Sequence, residues 1–375
     1  MIHSKLILVL VILCFSDFSN AQSTILWGVT SSKGAYDSGT IFSINPDGSN
    51  FKKIHDFDGK TGYPFASLTL GDTKIWGMTK GHSDHSKGKS HGAIFVLNKK
   101  GSGFKIVHTF IGLDGSIPLG ELVVYKESLF GMTSQGGSYN SGVIFRIHKD
   151  GTNFTKLFDF KTIDGSHPRN SLLLHDGKFW GTTSHGGTEN KGVIFSINID
   201  GSNFKKIYDF KEISIGEPES GLLVYNNRLW GMTTRGGKHN EGGIFSIHTD
   251  GTGFKKMHDF IYPALGDLME SNNTLWGMTA SKGKHNAGVI FYIHPKEELY
   301  TKVHDFNQEN GRFPEGNLME FNNNLWGMTR FGGTSNLGVL FSLNKNGSGF
   351  KKWLDFNKNT GGIPYGTLLE ITNNK

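Results

Sequence analysis

An aromatic residue followed by glycine recurs seven times along the chain. The pairs are Trp27-Gly28, Trp76-Gly77, Phe130-Gly131, Trp180-Gly181, Trp230-Gly231, Trp276-Gly277 and Trp326-Gly327, at spacings of 49, 54, 50, 50, 46 and 50 residues. Self-similarity at this period marks a chain built from stacked supersecondary units. Each unit runs WGMT, a glycine-rich loop, GVIFSI, an Asp-Gly turn, FKKIHDF, and a Pro-x-Gly-x-Leu segment. The apolar runs are short and rich in Ile, Val, Phe and Trp, which suits strands. Asp-Gly and Asn-Gly dipeptides favour the positive φ of tight hairpins.

Seven four-stranded meanders imply an all-β, seven-bladed β-propeller with antiparallel strands, spanning residues 22–375. The two ends support a closed ring. The first unit lacks a leading Gly-x-Leu strand, and Pro364 to Leu369 supply one with no unit after it. This C-terminal strand is expected to pair beside Leu26–Thr30. An open solenoid would instead carry polar capping repeats.

Segments such as WGTTSHGGTENKGVIFSINIDGSNFKKIYDF (Trp180 to Phe210) resemble the GloVer-type tandem repeats of secreted bacterial proteins. The resemblance covers essentially the whole chain after its first twenty or so residues and implies a repeat propeller.

Those first residues resemble a secretory signal. Lys5 precedes an apolar stretch, Leu6 to Phe15, and Ser19-Asn20-Ala21 reads as a cleavage site, giving a signal peptide over 1–21. The expectation is a secreted monomer, extracellular or periplasmic, with no membrane span. Cys14 is the one cysteine and lies in the signal, which excludes disulfides and thiolate chemistry from the remainder. A net charge of +6 favours anionic partners. Nucleic acid fits that charge but not export. Lysine pairs recurring in FKKIHDF, such as Lys205-Lys206, read as guards of an exposed sheet edge.

Residues shared by most units read as structural. These include the HDF aspartates (Asp56, Asp159, Asp209, Asp259, Asp305, Asp355), the strand histidines (His55, His108, His258, His304) and the loop asparagines (Asn140, Asn190, Asn240, Asn286, Asn336). Function is sought where one unit departs from its sisters on the face where the loops after FKKIHDF and after WGMT open together. Two slots there, beside the proline and before the Gly-Gly pair, give Tyr63 with Lys80, Ile117 with Gln135, and His167 with His185. Glu217 with Arg235, and Arg312-Phe313 with Arg330, complete the set.

Histidine in both slots of the fourth unit supplies groups that exchange protons near neutral pH. Arginine binds carboxylates with a two-pronged hydrogen bond. Together they suit β-elimination of an anionic, uronate-containing polysaccharide. His167 and His185 are the proton-transfer candidates, with Tyr139 as a further proton carrier. Arg235 is cast as the carboxylate clamp, assisted by Arg169 or Arg330, with Arg312, Tyr63, Lys80 and His239 as further substrate contacts. This slot chemistry resembles the seven-bladed propeller polysaccharide lyases of the ulvan lyase type, which implies lyase activity. Glu217 and Glu219 stand where that family's pattern calls for tyrosine. The rival reading is a propeller that binds glycans or proteins on the same face without cleaving them. No nucleotide-binding or HExxH motif occurs.

The second unit's loop is lengthened to GHSDHSKGKSHG. His82, Asp84, His85 and His91 could hold a divalent metal, zinc or calcium, the one cofactor the sequence suggests. The alternative is a solvated polar insertion.

Overall fold

The computed structural model describes residues 23–82, 90–211 and 214–373. The proposed signal peptide and the candidate ligands Asp84 and His85 lie outside them. Seven antiparallel sheets follow one another along the chain, each the expected meander. In the fourth blade, strands Leu173–His175, Lys178–Thr183, Val193–Asn198 and Lys205–Asp209 are neighbours in that order. In the second, the innermost strand is split into Tyr63–Pro64 and Thr69–Leu70. The helical content of the described residues is one 3-10 turn, Thr162–Asp164.

Ring closure is as the chain ends imply. Strand Gly362–Asn373 pairs antiparallel with Ser23–Ser32, setting Leu369 opposite Trp27 and Tyr365 opposite Val29. The sheet of the first blade therefore holds both ends of the described chain.

Apolar clusters fill the junctions between successive blades. Trp27, Val29 and Phe57 pack on Ile75 and Phe95, for example, and the junction across the closure joins Trp326 and Phe356 to Leu26 and Phe42. Outside this core, each outer strand's aromatic stacks on the next blade: His55 on Phe104, His108 on Phe154, Phe158 on Phe204, Tyr208 on Phe254, His258 on Tyr300, and His304 on Phe350. The recurrent histidines are thus interblade stacking partners. Burial pushes the pKa of His55, His108, His258 and His304 down, keeping them as neutral rings.

The HDF aspartates are ties between the outer strand and the blade's loop. Asp159 accepts from Ser138 N (2.8 Å), Asp259 from Lys238 N (2.9 Å), and Asp305 from Lys284 N (2.7 Å). The lysine three residues earlier pairs with each, as Lys156 does with Asp159 at 2.8 Å. The loop asparagines sit at positive φ, and Asn140, Asn190, Asn240 and Asn336 accept from the first glycine of the Gly-Gly pair, as Asn190 does from Gly186 N at 2.8 Å. Asparagine is one of the few side chains that tolerates this backbone region.

The aromatic–glycine pair also has a packing cause. A Cβ on Gly181 would lie 2.5 Å from Phe195 Cζ, and one on Gly327 would lie 2.7 Å from Phe341 Cζ. The phenylalanine of GVIFSI occupies the space a side chain would need. Gly181→Ala should cost about 1–3 kcal/mol by overpacking, and adding Phe195→Leu should recover part of that loss. Denaturant unfolding of both variants checks it.

Candidate functional site

The segment after each proline forms the wall of the axial channel. A cavity of ≈150 Å³ lies there, lined by residues from every blade. The residue next after the proline, or its equivalent, is Phe65, Leu119, Arg169, Glu219, Leu265, Glu315 and Tyr365 in blade order, and all seven line this cavity. Below them, side chains two positions further on link blade to blade. Ser67 Oγ accepts from Thr367 N (2.7 Å), Ser171 Oγ from Glu121 N (2.8 Å), and Asn317 Oδ1 from Asp267 N (2.7 Å). Burial raises the Glu121 carboxyl to about 7 and pushes Asp267 up as well.

The residue before the proline is set by the backbone. Ile117, His167, Glu217, Phe313 and Ile363 all have φ of 50–57°. This left-handed conformation costs a non-glycine residue about 1–2 kcal/mol. It is held by two bonds. His167 N donates to Ser141 O of the preceding blade's loop (3.0 Å), and His167 O accepts from Ser184 N (3.2 Å). Glu217 repeats the pattern with Lys191 O and Thr234 N.

In the fourth blade this brings the two imidazoles together, with ring centroids 5.5 Å apart and planes at 68°. Ser166 Oγ lies 3.2 Å from His167 Nδ1, and Ser184 Oγ lies 2.8 Å from His185 Nδ1. Ser184 has one hydroxyl proton, which it donates to His167 O at 2.9 Å. His185 therefore carries a proton on Nδ1 and donates it to Ser184. Burial, then the charges of His185 and Arg169, push the His167 pKa down. That leaves His167 an uncharged acceptor at neutral pH.

The arginines are already matched to carboxylates. Arg169 pairs with Glu219. Arg330 Nη1 lies 3.0 Å from Glu315 Oε1. Arg235 Nε lies 3.8 Å from Glu217 Oε2, and Lys191 Nζ approaches the other oxygen at the same distance. Arg169 lies two residues from His167, and its charge acts on that imidazole. Arg312 turns to Gln308 Oε1 (3.1 Å), Tyr139 is exposed with Lys161 over its ring at 5.3 Å, and His239 is exposed on its loop. None of these three is brought to the imidazoles by a contact among the described residues. Of the metal candidates, His82 Nε2 bonds Gly59 O and His91 Nδ1 bonds Ser116 Oγ.

One register differs from the sequence reading. The backbone bridge Ser166↔His185 recurs as Arg312↔Phe331, which makes Phe331, not Arg330, the equivalent of His185. Arg330 and Lys80 occupy the position of Ser184, since Tyr63 pairs with Lys80 as His167 pairs with Ser184. Successive strand residues face opposite ways. Lys80 and Arg330 therefore turn toward the axis, where sequence reasoning missed Phe65, Glu315 and Tyr365. Lys80 Nζ sits 4.8 Å from the Phe65 ring, Phe65 stacks on Tyr365 at 4.1 Å, and Arg330 covers Tyr365 at 5.2 Å. The signal that would have found them is the residue after the proline, read down all seven units.

Arg330→Ala would leave the half-buried Glu315 without its guanidinium, costing about 1–3 kcal/mol at neutral pH. Burial already raises the Glu315 carboxyl above its ordinary value, so it takes up a proton more readily than a free glutamate. The loss should shrink as pH falls and Glu315 takes up a proton; unfolding measured across pH checks this.

The chain is similar to several known proteins. The model of the Gloeobacter/Verrucomicrobia repeat matches residues 81–264 and 226–375. Among solved structures, a 6-phosphogluconolactonase candidate from Bacteroides fragilis NCTC 9343 superposes with TM-score 0.59 at 14% identity, over 94% of this chain and 99% of that one. A second, from Bacteroides uniformis ATCC 8492, gives 0.57 at 13%, over 93% and 99%. A chain of a nidogen/laminin complex gives 0.50 at 13%, over 92% and 98%. These three share the fold alone. No curated protein sequence matches the chain.

Proposed function

We propose that this chain, which belongs to the Gloeobacter/Verrucomicrobia repeat family, is an exported propeller that acts on an anionic, uronate-containing polysaccharide. The proposed chemistry is cleavage by β-elimination, as in the ulvan-lyase-like propellers it resembles. The observation that carries this reading is the His167–His185 pair beside Arg169.

β-Elimination needs a base for the C5 proton, a cation for the adjacent carboxylate, and an acid for the leaving oxygen at C4. His167, kept uncharged by burial and its positive neighbours, takes the proton. The C–H electron pair forms the C4=C5 double bond as the C4–O bond breaks. His185, when doubly protonated, gives its Nε2 proton to the departing oxygen while Ser184 holds the Nδ1 side. Arg169 neutralises the carboxylate and stabilises the charge that builds on it.

Incubation with ulvan, alginate, pectin and glycosaminoglycans should release an unsaturated uronate, followed by its ultraviolet absorbance. His167→Ala and His185→Ala should each lower the rate about a hundredfold or more. The rate should fall on the acid side through a pKa below the ordinary histidine value of 6.5, where His167 becomes charged. Retention on a polysaccharide gel with no product from any substrate would replace the lyase with a non-catalytic glycan binder. Unchanged rates in both variants would move the chemistry away from this blade.

A further inference from the structure

The positive charges at the axial mouth are not equivalent. Arg169 and Arg330 each hold a glutamate, Glu219 and Glu315. Lys80 is half-buried, and the charges that act on it are those two arginines. Its ammonium rests on the Phe65 ring at 4.8 Å, with Tyr63 further off at 6.0 Å. An aromatic face attracts a cation but does not neutralise it. Burial and the two guanidinium groups accordingly lower the Lys80 pKa.

Below it the acids of the channel are otherwise engaged. Asp267 accepts from Gly221 N and from Asn317 Nδ2 (2.9 Å), and burial favours neutral Glu121. Lys80 is thus the cation at this mouth that lacks a matching carboxylate among the described residues.

The cavity beside it decides the shape of what can enter. It is lined by residues of all seven blades, and its ≈150 Å³ is well below the roughly 300–1,000 Å³ of pockets for larger ligands. That volume suits the end of a chain, one sugar ring deep, rather than a polymer lying across the face.

We propose that the axial mouth is an end-binding subsite for one acidic sugar, whose carboxylate pairs with Lys80. The sugar assignment rests on the reading above; the anion site at Lys80 does not.

Titration of the full chain with glucuronate and galacturonate, against glucose and galactose, tests this directly. The acidic sugars should bind and the neutral parents should not. Lys80→Met should weaken acidic-sugar binding at least tenfold, and Lys80→Arg should retain most of it. Unchanged thermal unfolding of Lys80→Met would tie that loss to the charge. Equal binding of glucose and glucuronate, full binding by Lys80→Met, or no binding of either acid to the unmodified protein would overturn the subsite. Cleavage of the polysaccharides is a separate readout. Polymer cleavage without uronate binding sinks this subsite and leaves the lyase reading, whereas uronate binding at Lys80 without any polymer interaction does the reverse.

Discussion

Everything in this molecule depends on one antiparallel pairing, that of Gly362–Asn373 with Ser23–Ser32. Without it the seven sheets would form an arc, with one face of the first and last blades left bare. With it, the junction cluster of Trp326, Phe356, Leu26 and Phe42 buries that face as the other junctions do. The pairing also puts Tyr365 between Phe65 of the second blade and Arg330 of the seventh. The stack at the axial mouth thus spans the closure itself, so the geometry of the mouth and the integrity of the ring are one problem.

The repeats explain why chemistry concentrates on one face. Shared residues hold blades together: aspartates tie loops, histidines and phenylalanines stack, and glycines admit a phenylalanine ring. What varies is confined to positions whose backbone is fixed by neighbours. Cations brought near one another at such positions would repel, and the fold answers by giving Arg169, Arg235 and Arg330 a glutamate each. The exception at Lys80 gains its meaning from that rule.

The architecture is legible in the chain because each repeat states the same local preferences seven times: β-branched runs, tight-turn dipeptides and a missing first strand matched by an extra last one. The structural roles of Asp159, Asn190 and His108 are legible for the same reason. The meeting of His167 and His185 is legible too, since both slots open on one loop face. Register is resolved only in part. Gly81 and the insertion at His82 leave the second unit without a Gly-Gly pair to align on, whereas in the seventh Phe331 stands before Gly332-Gly333 as His185 stands before Gly186-Gly187, which places Arg330 one residue earlier. A one-residue offset in a strand reverses the side-chain direction, so Lys80 and Arg330 read as outer-slot residues while they face the axis. The glutamate partners of the arginines are hidden because they come from the earlier proline segment of the same blade (Glu315 for Arg330) or from that of the next blade (Glu219 for Arg169), about 15 and 50 residues away in sequence.

The left-handed residue before the proline in five of the blades has one more consequence. At Ile117, His167, Glu217, Phe313 and Ile363 the same dihedral is imposed on β-branched, aromatic, acidic and basic-aromatic side chains alike. Neighbouring blades supply the restraint, so the main chain there is indifferent to what it carries. Such a position behaves as a mounting bracket: fittings can be exchanged while the wall stays still. A ring of these brackets gives natural variation a way to retune ligand preference without renegotiating the fold.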